Sequence, residues 1–119
     1  MTIIYKDTEY ALATTLRVAY KIQGQHNHES YLDVFNKLGE MPIEQQIGII
    51  YASFAVANPS EATFITQQSF LDYCLDNYDL SYVMETIQGI IEGIVGKKIT
   101  EEAKAEVESE AGVSENFQK

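Results

Sequence analysis

The sequence predicts a mainly α (α+β) fold: a helical domain of about five helices with a short N-terminal β-hairpin and a mobile acidic C-terminal tail. Three observations carry this reading. Between Pro42 and Pro59 lies an apolar run with Glu44 as its only charge, which reads as a central helix covered on most sides. The segments around it place apolar residues at helical spacing behind Ser, Thr and Asp residues suited to capping. After Lys98 large apolar residues become sparse and acids frequent.

Taken in order, Thr2-Ile3-Ile4-Tyr5 and Glu9-Tyr10-Ala11-Leu12 are rich in β-formers and flank the polar turn Lys6-Asp7-Thr8, which predicts a hairpin. Two strands alone are marginal in water, so the hairpin should lie on a helix or join a sheet from another copy. From Thr14 or Thr15 a first helix places Leu16, Ala19, Tyr20 and Gln23 on one face and ends at Gly24. Gln25 to Glu29 form a polar loop. Ser30 then caps a short helix whose Tyr31, Leu32, Phe35 and Leu38 make a stripe before Gly39.

Pro42 suits the first position of the central helix, where its missing N–H would be unpaired in any case. Asn58-Pro59 ends that helix, because proline disfavours a helical residue before it. Ser60 to Ile65 form a linker. Thr66 caps a helix with Phe70, Leu71, Cys74, Leu75 and Tyr78 on one side. Asp79 begins the last strong helix, where Leu80, Val83, Met84, Ile87, Ile91 and Ile94 form the buried stripe and Gly96 closes the segment. The packed domain is expected over residues 1–98, followed by a disordered acidic tail over 99–119.

Composition narrows the function classes. A chain of 119 residues buries one core. Its formal net charge of -10 repels nucleic-acid phosphates and anionic membranes, so its partners should be proteins. Cys74 is the only cysteine, which excludes an internal disulfide and points to a reducing cytoplasm. The N-terminal residues have neither the basic nor the apolar region of a secretory signal, and no window reaches the length of a membrane span.

The candidate chemical sites favour bland readings. His26-Asn27-His28 with Glu29 lacks the ligands to complete a metal site, so no metal or cofactor is expected. Cys74 sits on an apolar stripe without a basic partner, as a buried structural thiol does. Asp72, Asp76 and Asp79 lack the glycine turn and terminal Glu of a calcium loop and read as a solvated helix face with a cap. Gly89 and Gly93 should admit a close neighbour, read as another helix. With Arg17 as the only arginine and no catalytic or nucleotide motif, no enzymatic activity is expected. Tyr31, Phe64, Ile65, Tyr73 and Tyr82 fall off the main stripes or in the linker. Several of them are expected to be exposed and to form a partner-binding surface.

The order of these elements, with Gly48-Ile49-Ile50-Tyr51-Ala52-Ser53-Phe54 inside the Pro42-to-Pro59 helix and a polar acidic tail, resembles the tail assembly chaperones of long-tailed bacteriophages and prophages over residues 1–98. The resemblance implies a non-catalytic protein of the bacterial cytoplasm that binds the tape measure protein, keeps it soluble and helps recruit tail tube subunits. It also implies self-association into a homo-oligomer, absence from the finished virion, and a longer frameshifted product joined at the tail. The rival reading is an acidic phage-encoded inhibitor that mimics DNA. Against that, six of the eighteen acids lie after Lys98 and the others are scattered.

Overall fold

A computed structural model describes residues 1–96 as five α-helices and a two-stranded antiparallel hairpin, as the sequence predicts. The expected tail, 99–119, and the last two residues of the expected domain lie outside the described residues.

Strands β1 (Thr2–Tyr5) and β2 (Thr8–Ala11) pair with Tyr5 opposite Thr8, leaving a two-residue turn at Lys6-Asp7. Both turn residues have positive φ, 51° and 69°, which is the backbone that lets a tight hairpin keep the right-handed strand twist. Side chains alternate across the ribbon, so Ile3 and Tyr5 enter the core while Thr2 and Ile4 face outward. The hairpin lies on helices, with Tyr5 stacked on Phe70 at 5.9 Å and Tyr10 edge-on to Phe54 at 5.3 Å.

Helix α1 (Leu16–Gln25) departs from the expected end and face. It runs through Gly24. The left-handed exit is taken by Asn27 and His28, whose φ values are 58° and 65°, and the His28 N–H bonds the Gln23 carbonyl at 2.6 Å. Val18, Ala19 and Ile22 are buried, whereas Leu16 and Tyr20 of the expected apolar face point to solvent. Apolar residues at 16, 18, 19, 20 and 22 supply two overlapping stripes, and contact with the central helix selects the more compact one. Helix α2 (Tyr31–Asn36) is capped by Ser30, whose Oγ accepts from the Leu32 N–H at 3.3 Å. Its buried residue is Val34. Tyr31, Phe35 and Leu38 are half-buried and Leu32 is exposed.

Helix α3 (Ile43–Ala57) is the hub, touching α1, β2, α4 (Gln67–Asn77) and α5 (Leu80–Val95). Pro42 stands one position earlier than expected, as the N-cap, and its carbonyl accepts from the Gln46 N–H at 3.1 Å. All ten residues from Gln46 to Ala55 are buried. Polar side chains of this helix and of its C-cap Asn58 bond neighbouring segments, while the buried Gln46 Oε1 finds no partner among the described residues. Gln46 Nε2 donates to the Leu38 carbonyl at 3.0 Å, and Tyr51 Oη to that of Ile65 at 2.7 Å. Ser53 Oγ donates to the Ala13 carbonyl at 2.6 Å, and Asn58 Nδ2 to that of Ala11 at 2.8 Å. Together these bonds fasten both ends of α3 to the loops around it.

Thr66 and Asp79 cap α4 and α5 as expected, accepting from the Ser69 N–H at 3.1 Å and the Tyr82 N–H at 2.9 Å. Phe70 and Cys74 of α4 are buried, but Leu75 is not. In α5 the buried set is Val83, Thr86, Ile87 and Ile90, while Leu80 is exposed and Met84, Ile91 and Ile94 are half-buried. Gly96 closes α5 with φ +89°. The close neighbour of Gly89 and Gly93 is not a helix. Added Cβ atoms would meet Met1 Cε at 2.7 Å and Thr14 Cβ at 2.3 Å, so the glycines seat the N-terminal residue and the segment before α1.

Candidate functional site

The candidate site is an outer surface, and its parts follow from the faces that the helices leave uncovered. Of the five expected contact residues, Phe64 stands out at 68% exposure, held in the turn between α3 and α4. Its neighbour Ile65 corrects the expectation. At 6% exposure Ile65 belongs to the core, because the 3-10 turn Glu61–Thr63 and the bond from Tyr51 fold the linker back onto α3.

The three tyrosines are half-buried, and each leans on another ring. Tyr31 sits edge-on to Phe35 at 5.8 Å. Tyr73 and Tyr82 flank Tyr78 in a ladder that begins at Tyr5, with centroid distances of 5.0 Å (Tyr5–Tyr73), 6.0 Å (Tyr73–Tyr78) and 4.3 Å (Tyr78–Tyr82). Tyr78 Oη donates to the Ile4 carbonyl and so joins the hairpin to the α4–α5 junction. Burial, then the neighbouring Tyr82, Tyr73 and Cys74, raise the Tyr78 phenol to about 12, against a small opposing effect of the Ile4 bond. Tyr73 therefore packs on the hairpin directly and Tyr82 only through Tyr78, and both remain partly open to solvent.

Sequence reasoning missed the residues that contribute most outer apolar area. Leu16 and Tyr20 are 66% and 69% exposed, one turn apart on α1, and Leu75 and Leu80 are 49% and 62% exposed where α4 passes into α5. The sequence reading places Leu80 in a buried stripe and Leu16, Tyr20 and Leu75 on the apolar side of their helices. The available signal was an excess of apolar positions over what one face of a short helix can bury. Leu75 and Leu80 stand with Ile43 around a cleft of about 220 Å³, floored by Ile47, Cys74 and Val83 and edged by Asp79. A larger cleft of about 450 Å³, between α1 and the starts of α3 and α4, is lined by Gln25, Gln45, Gln67 and Gln68 together with Leu71.

Of the titratable side chains, His26 and Glu44 line the larger cleft and Cys74, Tyr78 and Asp79 the smaller. The Cys74 thiol is pushed up to about 12 by burial, which keeps it protonated and unreactive. Asp72 accepts from Gln68 Nε2 at 3.0 Å and Asp79 serves as a cap. His26 and His28 lie at the loop after α1, and no group of three potential metal-binding side chains forms among the described residues. No helix of the described residues is long and apolar enough to cross a membrane. The surface offers exposed apolar side chains beside negative charge. Comparison with protein-family models, curated proteins and solved structures gave no significant match.

Proposed function

We propose that this chain is a non-catalytic tail assembly chaperone of a long-tailed bacteriophage or prophage. In this reading it binds the tape measure protein in the bacterial cytoplasm, keeps that apolar helical client soluble, and helps bring in tail tube subunits. It self-associates and leaves before the virion is finished. The observation that carries the reading is the combination of large apolar side chains held outward, Phe64 foremost, with a net charge of -10. A holding protein needs both: apolar surface to cover its client, and charge to stay dispersed while that surface is open. Support also comes from the buried α3, which makes a rigid hub on which outer residues can be displayed.

The test is co-expression with the candidate tape measure protein encoded beside it, followed by size-exclusion chromatography with light scattering. A soluble co-eluting complex, with the client insoluble alone, is expected. A client that stays insoluble in the presence of this chain would overturn the reading.

One observation favours the DNA-mimic alternative: α3, α4 and α5 carry acids and no bases. Leu75 and Leu80 interrupt those acids with apolar surface that a phosphate-like array would not need. Competition with duplex DNA for a basic nucleic-acid enzyme separates the two readings.

A further inference from the structure

Charge is divided along this chain. From Met41 to Gly96 there are seven acids, Glu44, Glu61, Asp72, Asp76, Asp79, Glu85 and Glu92, and no lysine, arginine or histidine. The lysines and arginine among the described residues are Lys6, Arg17, Lys21 and Lys37, and Lys37 is paired with Glu29. Helix α1 contains Arg17 and Lys21 and no acid. Both are exposed, as are Leu16 and Tyr20 beside them, and the Arg17 guanidinium lies 5.8 Å from the Tyr20 ring centroid. This face therefore presents two apolar knobs one turn apart, each next to a cation.

The groove at the α4–α5 junction is its counterpart. Leu75, Leu80 and Ile43 leave apolar surface open around a cleft of about 220 Å³, and Asp79 stands on its edge. Asp72 and Asp76 lie within one turn of Leu75 and are exposed. No cation pairs with any of these three carboxylates among the described residues.

We propose that these two surfaces meet between copies of the chain. Helix α1 of one copy lies in the groove of another, with Leu16 and Tyr20 against Leu75 and Leu80, and Arg17 and Lys21 facing Asp72, Asp76 and Asp79. The inference assigns surfaces to the self-association named in the proposed function. The faces differ, so the contact builds rings or open chains unless a two-fold axis pairs both at once. A ten-residue helix about 15 Å long covers less than a standard interface, so the association is weak and depends on concentration and salt. Phe64, Leu32 and Ile4 take no part and stay open to a client.

Light scattering over a concentration series, with the full chain at low and high salt, tests this. The wild type should gain mass with concentration and lose it with salt. Two double variants, Arg17→Glu with Lys21→Glu and Asp72→Lys with Asp76→Lys, should each be monomeric, since all four side chains are exposed and their replacement leaves the core intact. Mixed in equal amounts, the two should associate at least tenfold more tightly than either alone. Leu80→Ser should weaken association without charge change. A monomeric wild type, reversed variants that associate as the wild type does, or a mixture that stays monomeric would overturn the interface. A monomeric chain that still holds the tape measure protein in solution would overturn it while leaving the client reading intact.

Discussion

Gly93 and Thr14 approach so closely that a Cβ built on the glycine would lie 2.3 Å from the Thr14 Cβ. The contacting atom is attached to the backbone, so the segment entering α1 must move if the space is filled. Gly93→Ala should therefore lower stability by about 1–3 kcal/mol, more than the helix gains from losing a glycine. Gly24→Ala is the opposite case. Gly24 lies inside α1 with nothing near its Cβ position, and the change should stabilise by about 0.5–1 kcal/mol. Urea unfolding of both variants checks the pair of signs.

Phe64 and Ile65 are adjacent in sequence and opposite in role. Ile65→Ala should cost about 2–5 kcal/mol by leaving a cavity, whereas Phe64→Ala should change stability by less than about 0.5 kcal/mol. The proposed function adds that Phe64→Ala reduces the amount of soluble client recovered on co-expression. Unchanged recovery would remove Phe64 from the contact surface.

Asn58 closes α3 and holds the hairpin with one amide, donating to the carbonyls of Phe54 at 2.9 Å and Ala11 at 2.8 Å. Asn58→Ala should cost about 1–2 kcal/mol in chemical unfolding. Hydrogen exchange should quicken at Leu12 and Ala13, whose N–H groups bond Met1 and Ser53 beside the lost contact.

Alkaline pH should loosen the fold. Tyr78 is raised from 10.0 to about 12 and Cys74 from 9.0 to about 12, both chiefly by burial. A raised acid favours the native state while it stays protonated, so this stability is complete below pH 9. It declines as pH climbs through the unfolded values toward 12. Melting temperature should fall across that window. Tyr78→Phe should flatten the fall above pH 10 while lowering stability at neutral pH, because the bond to Ile4 is lost.

The parts of the fold legible in the sequence were those decided within one turn of chain. Ser30, Thr66 and Asp79 cap where their hydroxyls and carboxylate can reach nearby N–H groups, and Asn58-Pro59 and Gly96 stop helices by their own backbone limits. The choice of buried face was not legible in the same way. Val18 and Ile22 displaced Leu16 and Tyr20 because α3 crosses that side of α1, a fact that spacing within α1 does not encode. The same limit hid the groove at Leu75 and Leu80. For the candidate surface, Phe64 was visible as an aromatic in a polar linker, whereas Ile65 was drawn inward by a distant tyrosine hydroxyl.

The bond from Tyr78 to Ile4 spans 74 positions, and it has a temporal side. A ribosome adding about 5–20 residues per second makes strand β1 roughly four to fifteen seconds before the tyrosine that anchors it. In that interval the newborn hairpin lacks the rings of α4 on which Tyr5 packs, and its strand edges are open to any extended chain nearby. The first residues synthesised are thus among the last to find their place. Premature release of a nascent chain before Tyr78 would leave a sticky two-stranded ribbon in place of an anchored one.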